Sequence, residues 1–112
     1  MKITSLLLGL ALSGSAVAVA AAGSQAAKPL DGKALFGVKC GMCHRADGMG
    51  TGLLARRMDP KIAELEKRTD LTPDYVTQAA RTGIGNMPQI TRGEVSDPQM
   101  AAIAAYLAKG NK

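Results

Sequence analysis

The chain has 112 residues, which is room for one domain, and a formal net charge of +5. It contains one Phe, two Tyr and no Trp, together with two Cys and one His. Nucleic-acid-binding proteins usually show a concentrated basic face and a recognisable motif, and neither is present. The modest basic excess fits a protein that docks on acidic partners, or an ordinary solvated surface. With so few aromatic residues, a domain of this size needs another source of buried apolar surface.

The N-terminal segment has the composition of a secretory signal peptide. Met1-Lys2 is followed by an apolar stretch from Ile3 to Leu12 and by small residues that include Ala18-Val19-Ala20, a sequence that a signal peptidase accepts. An uncleaved membrane anchor is the alternative, but the segment is only weakly apolar. We expect a signal peptide over residues 1–22, with cleavage between 20 and 27, a domain over 28–112, a periplasmic location and no membrane span after cleavage.

The first helix is predicted from about Asp31 to Met42, with Asp31 as its N-cap. Ala34, Leu35 and Val38 are apolar at helical spacing, and Phe36 lies beside them.

Both cysteines and the single histidine of the chain follow, in Cys40-Gly41-Met42-Cys43-His44. This C-x-x-C-H pattern is typical of covalent haem c attachment. Thiols three residues apart lie on nearly the same face of one helical turn, so both can reach the vinyl groups of one haem. The sequence therefore predicts one haem c, bound through Cys40 and Cys43, with His44 as an axial ligand of the iron.

Three other interpretations of the two cysteines are weaker. A disulfide across two intervening residues closes a very small loop and gains little entropy. A thioredoxin-like redox pair requires a βαβ context, and no strand-like runs flank the motif. Zinc requires four ligands, and no further Cys or His completes the set.

The remaining elements are predicted to be a glycine-rich loop and three more helices. The loop covers about 46–51. The second helix follows Asp59-Pro60 and ends near Arg68, and the third runs from Thr72-Pro73 to Gly83. The fourth begins at Ser96, with Gln99 completing a capping box, and stops at Gly110. The buried positions expected on the last two are Tyr75, Val76, Ala79, Ala80, Met100, Ile103, Ala104 and Leu107. The predicted fold class is all-α, without strand pairs.

The sixth iron ligand is predicted to be Met87. It lies in the loop Gly83-Ile84-Gly85-Asn86-Met87-Pro88, which can be laid against the distal face of a haem and is stiffened by Pro88. Met58, also in a loop, is the second candidate, and an open coordination position or another ligand, such as a lysine, is the remaining alternative. Ligation by His44 and Met87 would saturate the iron and raise its reduction potential, which favours electron transfer over catalysis.

Taken together, the residues from 31 to 109 resemble the class I cytochromes c, which are small monohaem electron carriers. The resemblance rests on Gly32-Lys33-x-Leu35-Phe36, Cys40 to His44, Asp47-Gly48-x-Gly50, Arg81-x-Gly83-x-x-x-Met87-Pro88 and Ile103-x-x-Tyr106-Leu107. It implies one cytochrome c-like domain of about four helices wrapped around the haem. It also implies that the first and last helices cross where Phe36 packs on Tyr106, and that the partners are redox proteins.

Two further features qualify the resemblance. The family usually has a proline after the attachment motif whose carbonyl accepts a hydrogen bond from the proximal histidine, whereas this chain has Thr51-Gly52-Leu53 there. Another residue of that stretch could supply the carbonyl. The run from Leu53 to Met58 is also similar to the small cytochrome subunit of alkylphenol-oxidising flavocytochromes. Within it, Arg56 or Arg57 could hold a haem propionate or could simply be exposed cations.

The expected function is one-electron transfer from a periplasmic dehydrogenase or respiratory complex to an oxidase or another carrier. Electrons would pass through the haem edge near the attachment cysteines, with surrounding lysines and arginines steering acidic partners. One alternative is a tightly bound cytochrome subunit of a flavin-dependent dehydrogenase. Alternatives of other classes are an open-site haem enzyme or sensor, and a non-redox interaction module.

Overall fold

The computed structural model describes residues 28–109, so the predicted signal peptide and the predicted stop at Gly110 lie outside the described residues. Within this range the chain is helical. The α-helices are α1 (Gly32–Lys39), α2 (Gly41–His44), α3 (Met49–Leu54), α4 (Pro73–Thr82) and α5 (Asp97–Ala108), and two 3-10 turns cover Pro60–Ile62 and Leu65–Lys67. Between residues 28 and 109 there is no β-strand, and the one β-bridge joins Ile84 to Met87. No helix in this part of the chain is long and apolar enough to cross a membrane.

The first predicted helix is two helices that change direction at Cys40. Asp31 caps α1 as predicted, since its Oδ1 accepts hydrogen bonds from the backbone N–H groups of Lys33 and Ala34 at 3.0 and 3.1 Å. The prediction that the helix continues to Met42 is wrong, because Cys40 has φ −125° and ψ −27° and α2 begins at Gly41. This change of direction allows Arg45, just after α2, to fold back over the Phe36 ring.

The face that α1 buries also differs from the prediction. Phe36 is fully buried, but Val38 is 80% exposed and Ala34 is exposed as well. Of the three residues at helical spacing, Leu35 is partly buried and packs against the core beside Phe36, whereas Ala34 and Val38 do not mark it.

The glycine-rich segment and the second predicted helix also differ from their predictions. The turn is confined to the residues before Met49, and the first half of α3 (Met49–Leu54) occupies the end of the loop predicted over about 46–51. Asp59 accepts a hydrogen bond from the Lys61 N–H at 2.9 Å, as an N-cap should, yet only the two 3-10 turns follow it. Glu64 between them is extended, at φ −70° and ψ 128°, and Glu66 in the second turn bonds Arg45 and Tyr106.

The last two helices agree with the sequence. Thr72 caps α4, and Gly83 ends it with φ 77° and ψ 154°, a conformation open almost only to glycine. Ser96 and Gln99 form the predicted reciprocal capping box at the start of α5. The buried face of α5 is Met100, Ile103, Ala104 and Leu107, as expected. On α4, Tyr75 was expected to be buried but is 49% exposed, and Ala80 is the residue of this helix that is buried.

The core lies where α1 and α4 pack on α5. Its buried members are all apolar (Phe36, Ala63, Leu71, Ala80, Val95, Met100, Ile103, Ala104 and Leu107), and the part of the chain described contains no buried polar residue. The Phe36 and Tyr106 rings have centroids 6.0 Å apart at an angle of 46°. The predicted crossing of the first and last helices at these two rings is therefore confirmed.

Gly32 allows α1 and α5 to approach closely at this crossing. A Cβ atom at Gly32 would overlap the carbonyl oxygen of Ala102 and lie 2.9 Å from the Tyr106 Cβ. The obstacle is helix backbone, so it cannot move aside cheaply.

We expect Gly32→Ala to destabilise the haem-loaded protein by about 1–3 kcal/mol, because the added methyl group would force the two helices apart. Urea unfolding at neutral pH measures this change. Gly93→Ala is the matched control, since its nearest neighbour is Thr91 Oγ1 at 3.8 Å, and it should change stability by less than about 0.5 kcal/mol. Equal stability of the two variants would show that the close approach of α1 and α5 at Gly32 does not contribute to stability.

Candidate functional site

One helical turn carries Cys40, Cys43 and His44. The carbonyl of Cys40 accepts hydrogen bonds from the backbone N–H groups of Cys43 and His44, both at 3.1 Å, so the three residues lie within a single turn. Cys40 is at once the C-cap of α1 and the N-cap of α2. The spacing predicted from the C-x-x-C-H sequence is therefore present in the fold, with the three predicted side chains on one short hydrogen-bonded segment.

Both thiols are free, and each is partly buried. Burial, and in second place the charge of the neighbouring Cys43, raise the pKa of Cys40 above its ordinary value. Cys40 also packs against the apolar core cluster. It is therefore held as an uncharged thiol beside apolar surface, where it could bond to an apolar macrocycle.

The His44 ring is held in its uncharged form. Burial lowers its pKa below the ordinary value, and neutral imidazole is the form that binds a metal ion. Its Nδ1 atom is buried and has no hydrogen-bond partner among residues 28–109. A buried polar atom without a partner is costly, which indicates a ring placed for a purpose other than an internal hydrogen bond.

The stretch after the motif does not supply the carbonyl considered for His44. Thr51, Gly52 and Leu53 are part of α3, and the Thr51 carbonyl accepts a hydrogen bond from the Ala55 N–H at 2.9 Å. Gly50 lies beside the ring instead, since a Cβ there would be 3.2–3.3 Å from the Cε1 and Nδ1 atoms of His44. The His44 ring therefore packs against a glycine of α3.

A polar cluster that the sequence did not reveal fixes the residue after His44. The Arg45 Nε donates to Glu66 Oε2 at 3.2 Å, and its guanidinium lies over the Phe36 ring, 5.6 Å from the centroid. The Tyr106 hydroxyl donates to Glu66 Oε1 at 2.5 Å. We call Arg45, Glu66 and Tyr106 the Arg45 cluster. It ties the end of the attachment turn to α5, and no local sequence signal links Arg45 to Glu66, because their contact is a product of the fold.

Met87 lies on a tight turn between α4 and α5. The backbones of Ile84 and Met87 exchange two hydrogen bonds, at 3.1 and 2.9 Å, and Gly85 between them has φ 55°. A Cβ at Gly83 would lie only 2.8 Å from the Met87 carbonyl oxygen. Met87 is partly buried and packs against the same core cluster as Cys40. Met87, the predicted distal ligand, and Cys40 of the attachment turn therefore both contact the core cluster.

The other methionines lie in different surroundings. Met42 and Met49 are 88% and 69% exposed, whereas Met100 is 3% exposed and is part of the core, as predicted. Met58 is partly buried. Arg56 and Arg57 are both exposed.

The donor set fits a haem. Two thiols, a neutral imidazole and a thioether are the groups that attach and ligate haem iron in c-type cytochromes. Two of them, on Cys40 and Met87, contact a core without buried polar residues in the described range. Hard cations such as magnesium prefer oxygen ligands, and this set offers none.

The comparison with known families agrees with this chemistry. The family described as cytochrome C oxidase, cbb3-type, subunit III matches residues 27–107. The chain belongs to this family. Its members are class I c-type cytochromes, so the cofactor is covalently bound haem c and the role is electron transfer rather than catalysis by the chain itself. No curated protein and no solved structure matches the chain significantly.

The Arg45 cluster makes a pH-dependent contribution to stability in this cytochrome. Hydrogen bonds from Tyr106 and then from Arg45 lower the pKa of Glu66 below its ordinary value of 4.5, despite partial burial. The cluster therefore adds to the free energy of unfolding at pH values above 4.5. This added stability is lost as the pH falls through the pKa that Glu66 has in the folded protein. We expect Glu66→Gln to cost about 0.5–1.5 kcal/mol at neutral pH, with the difference from wild type shrinking as the pH falls below 4.5 and through the lowered pKa of Glu66.

Chemical unfolding across this pH range measures that difference. Glu64→Gln is the control, because Glu64 pairs only with the half-exposed Lys67 three residues away, at 2.6 Å. Its effect should stay below about 0.5 kcal/mol. If Glu66→Gln lost the same stability at every pH, the charge of Glu66 would not be what stabilises this cluster.

Proposed function

We propose that the chain is a periplasmic one-electron carrier whose haem is joined to Cys40 and Cys43 and ligated by His44 and Met87. The observation that carries the proposal is the common placement of these residues. One helical turn presents the two thiols and the imidazole, and a hydrogen-bonded turn presents Met87 against the same apolar core. The haem would supply reversible one-electron chemistry, and the protein would supply a fixed set of ligands.

The surroundings of the two proposed ligands support electron transfer over catalysis. The His44 ring is wedged against Gly50, and the Met87 turn is closed by two backbone hydrogen bonds. Ligands on segments this constrained would change position little when the iron changes charge. The Met87 thioether would favour the reduced iron and raise the reduction potential, while occupying the position that oxygen or peroxide would need.

The surface beside the attachment turn supports electron exchange at the haem edge that would lie near Cys40 and Cys43. Val38 and Met42 flank Cys40 and are 80% and 88% exposed, and Lys39 between Val38 and Cys40 is exposed as well. Exposed apolar side chains next to a cation suit brief contact with a partner that carries acidic residues around an apolar centre.

The family description favours a respiratory oxidase as the class of electron acceptor, because it names an oxidase subunit. The similarity of Leu53 to Met58 to a flavocytochrome subunit suggests a flavin-dependent dehydrogenase as the class of donor. Copurification from the native host tests both. Recovery of a flavoprotein in stable stoichiometry would favour a bound subunit over a diffusing carrier.

Covalent attachment is the first test of the proposal. We expect the protein exported from cells that make c-type cytochromes to retain haem stain on a denaturing gel, since thioether bonds survive denaturation. Replacing both Cys40 and Cys43 by alanine should abolish the stain. A non-redox module with an unused motif would give an unstained wild-type band.

Ligation by Met87 is the second test. Ferric haem ligated by sulfur shows a weak near-infrared charge-transfer band, and we expect Met87→Ala to lose it and to bind cyanide readily. Its reduction potential should fall by on the order of 100 mV, a part of the ~0.8 V over which axial ligands act. Met58→Ala is the control and should keep both the band and the potential. A wild-type protein without the band, open to cyanide at once, would instead favour the haem enzyme or sensor.

A further inference from the structure

Arg81 joins the two ends of the segment that carries Met87. We call residues 83–90, between α4 and the turn before α5, the Met87 loop. Arg81 lies near the end of α4, its Nη1 donates to the carbonyl of Ile90 at 2.9 Å, and its Nη2 donates to Asp97 Oδ1 at 2.8 Å. Its side chain is only 15% exposed. One largely buried guanidinium therefore spans α4, the exit of the loop and the first residue of α5.

The backbone closes the loop at the same place. The Ile90 N–H donates to the carbonyl of Ala80 at 2.8 Å, so Ile90 is held through both its N–H and its C=O, by adjacent residues of α4. A planar guanidinium with several donors in fixed directions can bond a carbonyl and a carboxylate together, which a lysine ammonium on a flexible stem does less well.

Asp97 has a second partner that provides a comparison. Arg92 Nε donates to Asp97 Oδ2 at 2.9 Å, but the Arg92 side chain is 73% exposed. It makes no hydrogen bond to the Met87 loop among the described residues. Arg92 and Arg81 thus share one carboxylate, and Arg81 alone of the two also holds the loop.

We propose that Arg81 is a positioning residue that keeps the Met87 loop closed, and so keeps the Met87 sulfur on the iron in the oxidised protein. The inference rests on the proposed ligation by Met87. Oxidised iron is the state in which the soft thioether binds less well, so the loop has to hold the sulfur there. Loss of Arg81 removes two hydrogen bonds, one of them to a charged group, and leaves the Ile90 carbonyl and Asp97 without this partner.

The test uses the full haem-loaded protein in the ferric state. Cyanide can bind only when the loop opens and the sulfur leaves, so its rate of binding reports opening. We expect Arg81→Gln to bind cyanide on the order of ten- to a hundredfold faster than wild type. The rate of cyanide binding to Arg81→Lys should lie between those of wild type and Arg81→Gln. Arg92→Gln, which removes a cation from the same carboxylate, should stay within about twofold of wild type.

Denaturant titration separates positioning from general stability. The near-infrared sulfur band of Arg81→Gln should disappear at a lower denaturant concentration than the helical circular dichroism, by a wider margin than in Arg92→Gln. Equal cyanide rates in the two variants, or a band that disappears together with the helices, would overturn the inference. If Arg81→Gln does not fold, Arg81→Lys decides by the same criteria. A wild-type protein without the band would overturn the ligation by Met87 itself, which is a different result.

Discussion

Phe36 is the residue on whose packing the arrangement of this cytochrome depends. It is fully buried, the Tyr106 ring of α5 lies 6.0 Å away, and the Arg45 guanidinium lies 5.6 Å from the ring centre. Full burial of such a side chain stabilises a fold by about 1.5–3 kcal/mol. Because Arg45 directly follows His44, the same packing that joins α1 to α5 also sets where the attachment turn ends. A change at this ring therefore affects stability and the position of a proposed iron ligand together.

The last helix serves as the common support for both proposed ligands. On the proximal side, Arg45 reaches Tyr106 of α5 through Glu66. On the distal side, Arg81 reaches Asp97, the first residue of α5. The two arrangements are alike, because in each an arginine near the segment of a proposed ligand bonds to a carboxylate at the margin of the apolar core. Among residues 28–109 no polar or charged residue is fully buried, so the core that Cys40 and Met87 contact is apolar.

The sequence predicts those features that depend on neighbouring residues. Asp31, Thr72 and Ser96 act as caps within three residues of themselves, so their helices begin where expected. The C-x-x-C-H turn is equally local. The buried face of α5 could be predicted because four apolar residues recur at helical spacing on one long helix.

The errors arise where distant residues decide the backbone. α1 ends at Lys39 although its sequence could continue as helix, and after the bend at Cys40 Arg45 contacts Phe36 and Glu66, which are distant in sequence. The glycines that suggested a loop are helical in α3, where the absence of a side chain at Gly50 allows the helix to lie against His44. Neither effect leaves a periodic signal. Likewise, nothing near Arg81 in the sequence indicates its two partners.

The segment between Ala80 and Ile90 is joined to itself at its base by a backbone hydrogen bond, and Ile84 and Met87 are joined at its tip. Met87 itself packs against the core cluster, whereas Asn86 beside it is exposed. Substitutions at exposed positions of this kind should leave the helices on either side as they are. They are a means of altering the surroundings of the proposed ligand, and with them the reduction potential, without a cost to folding.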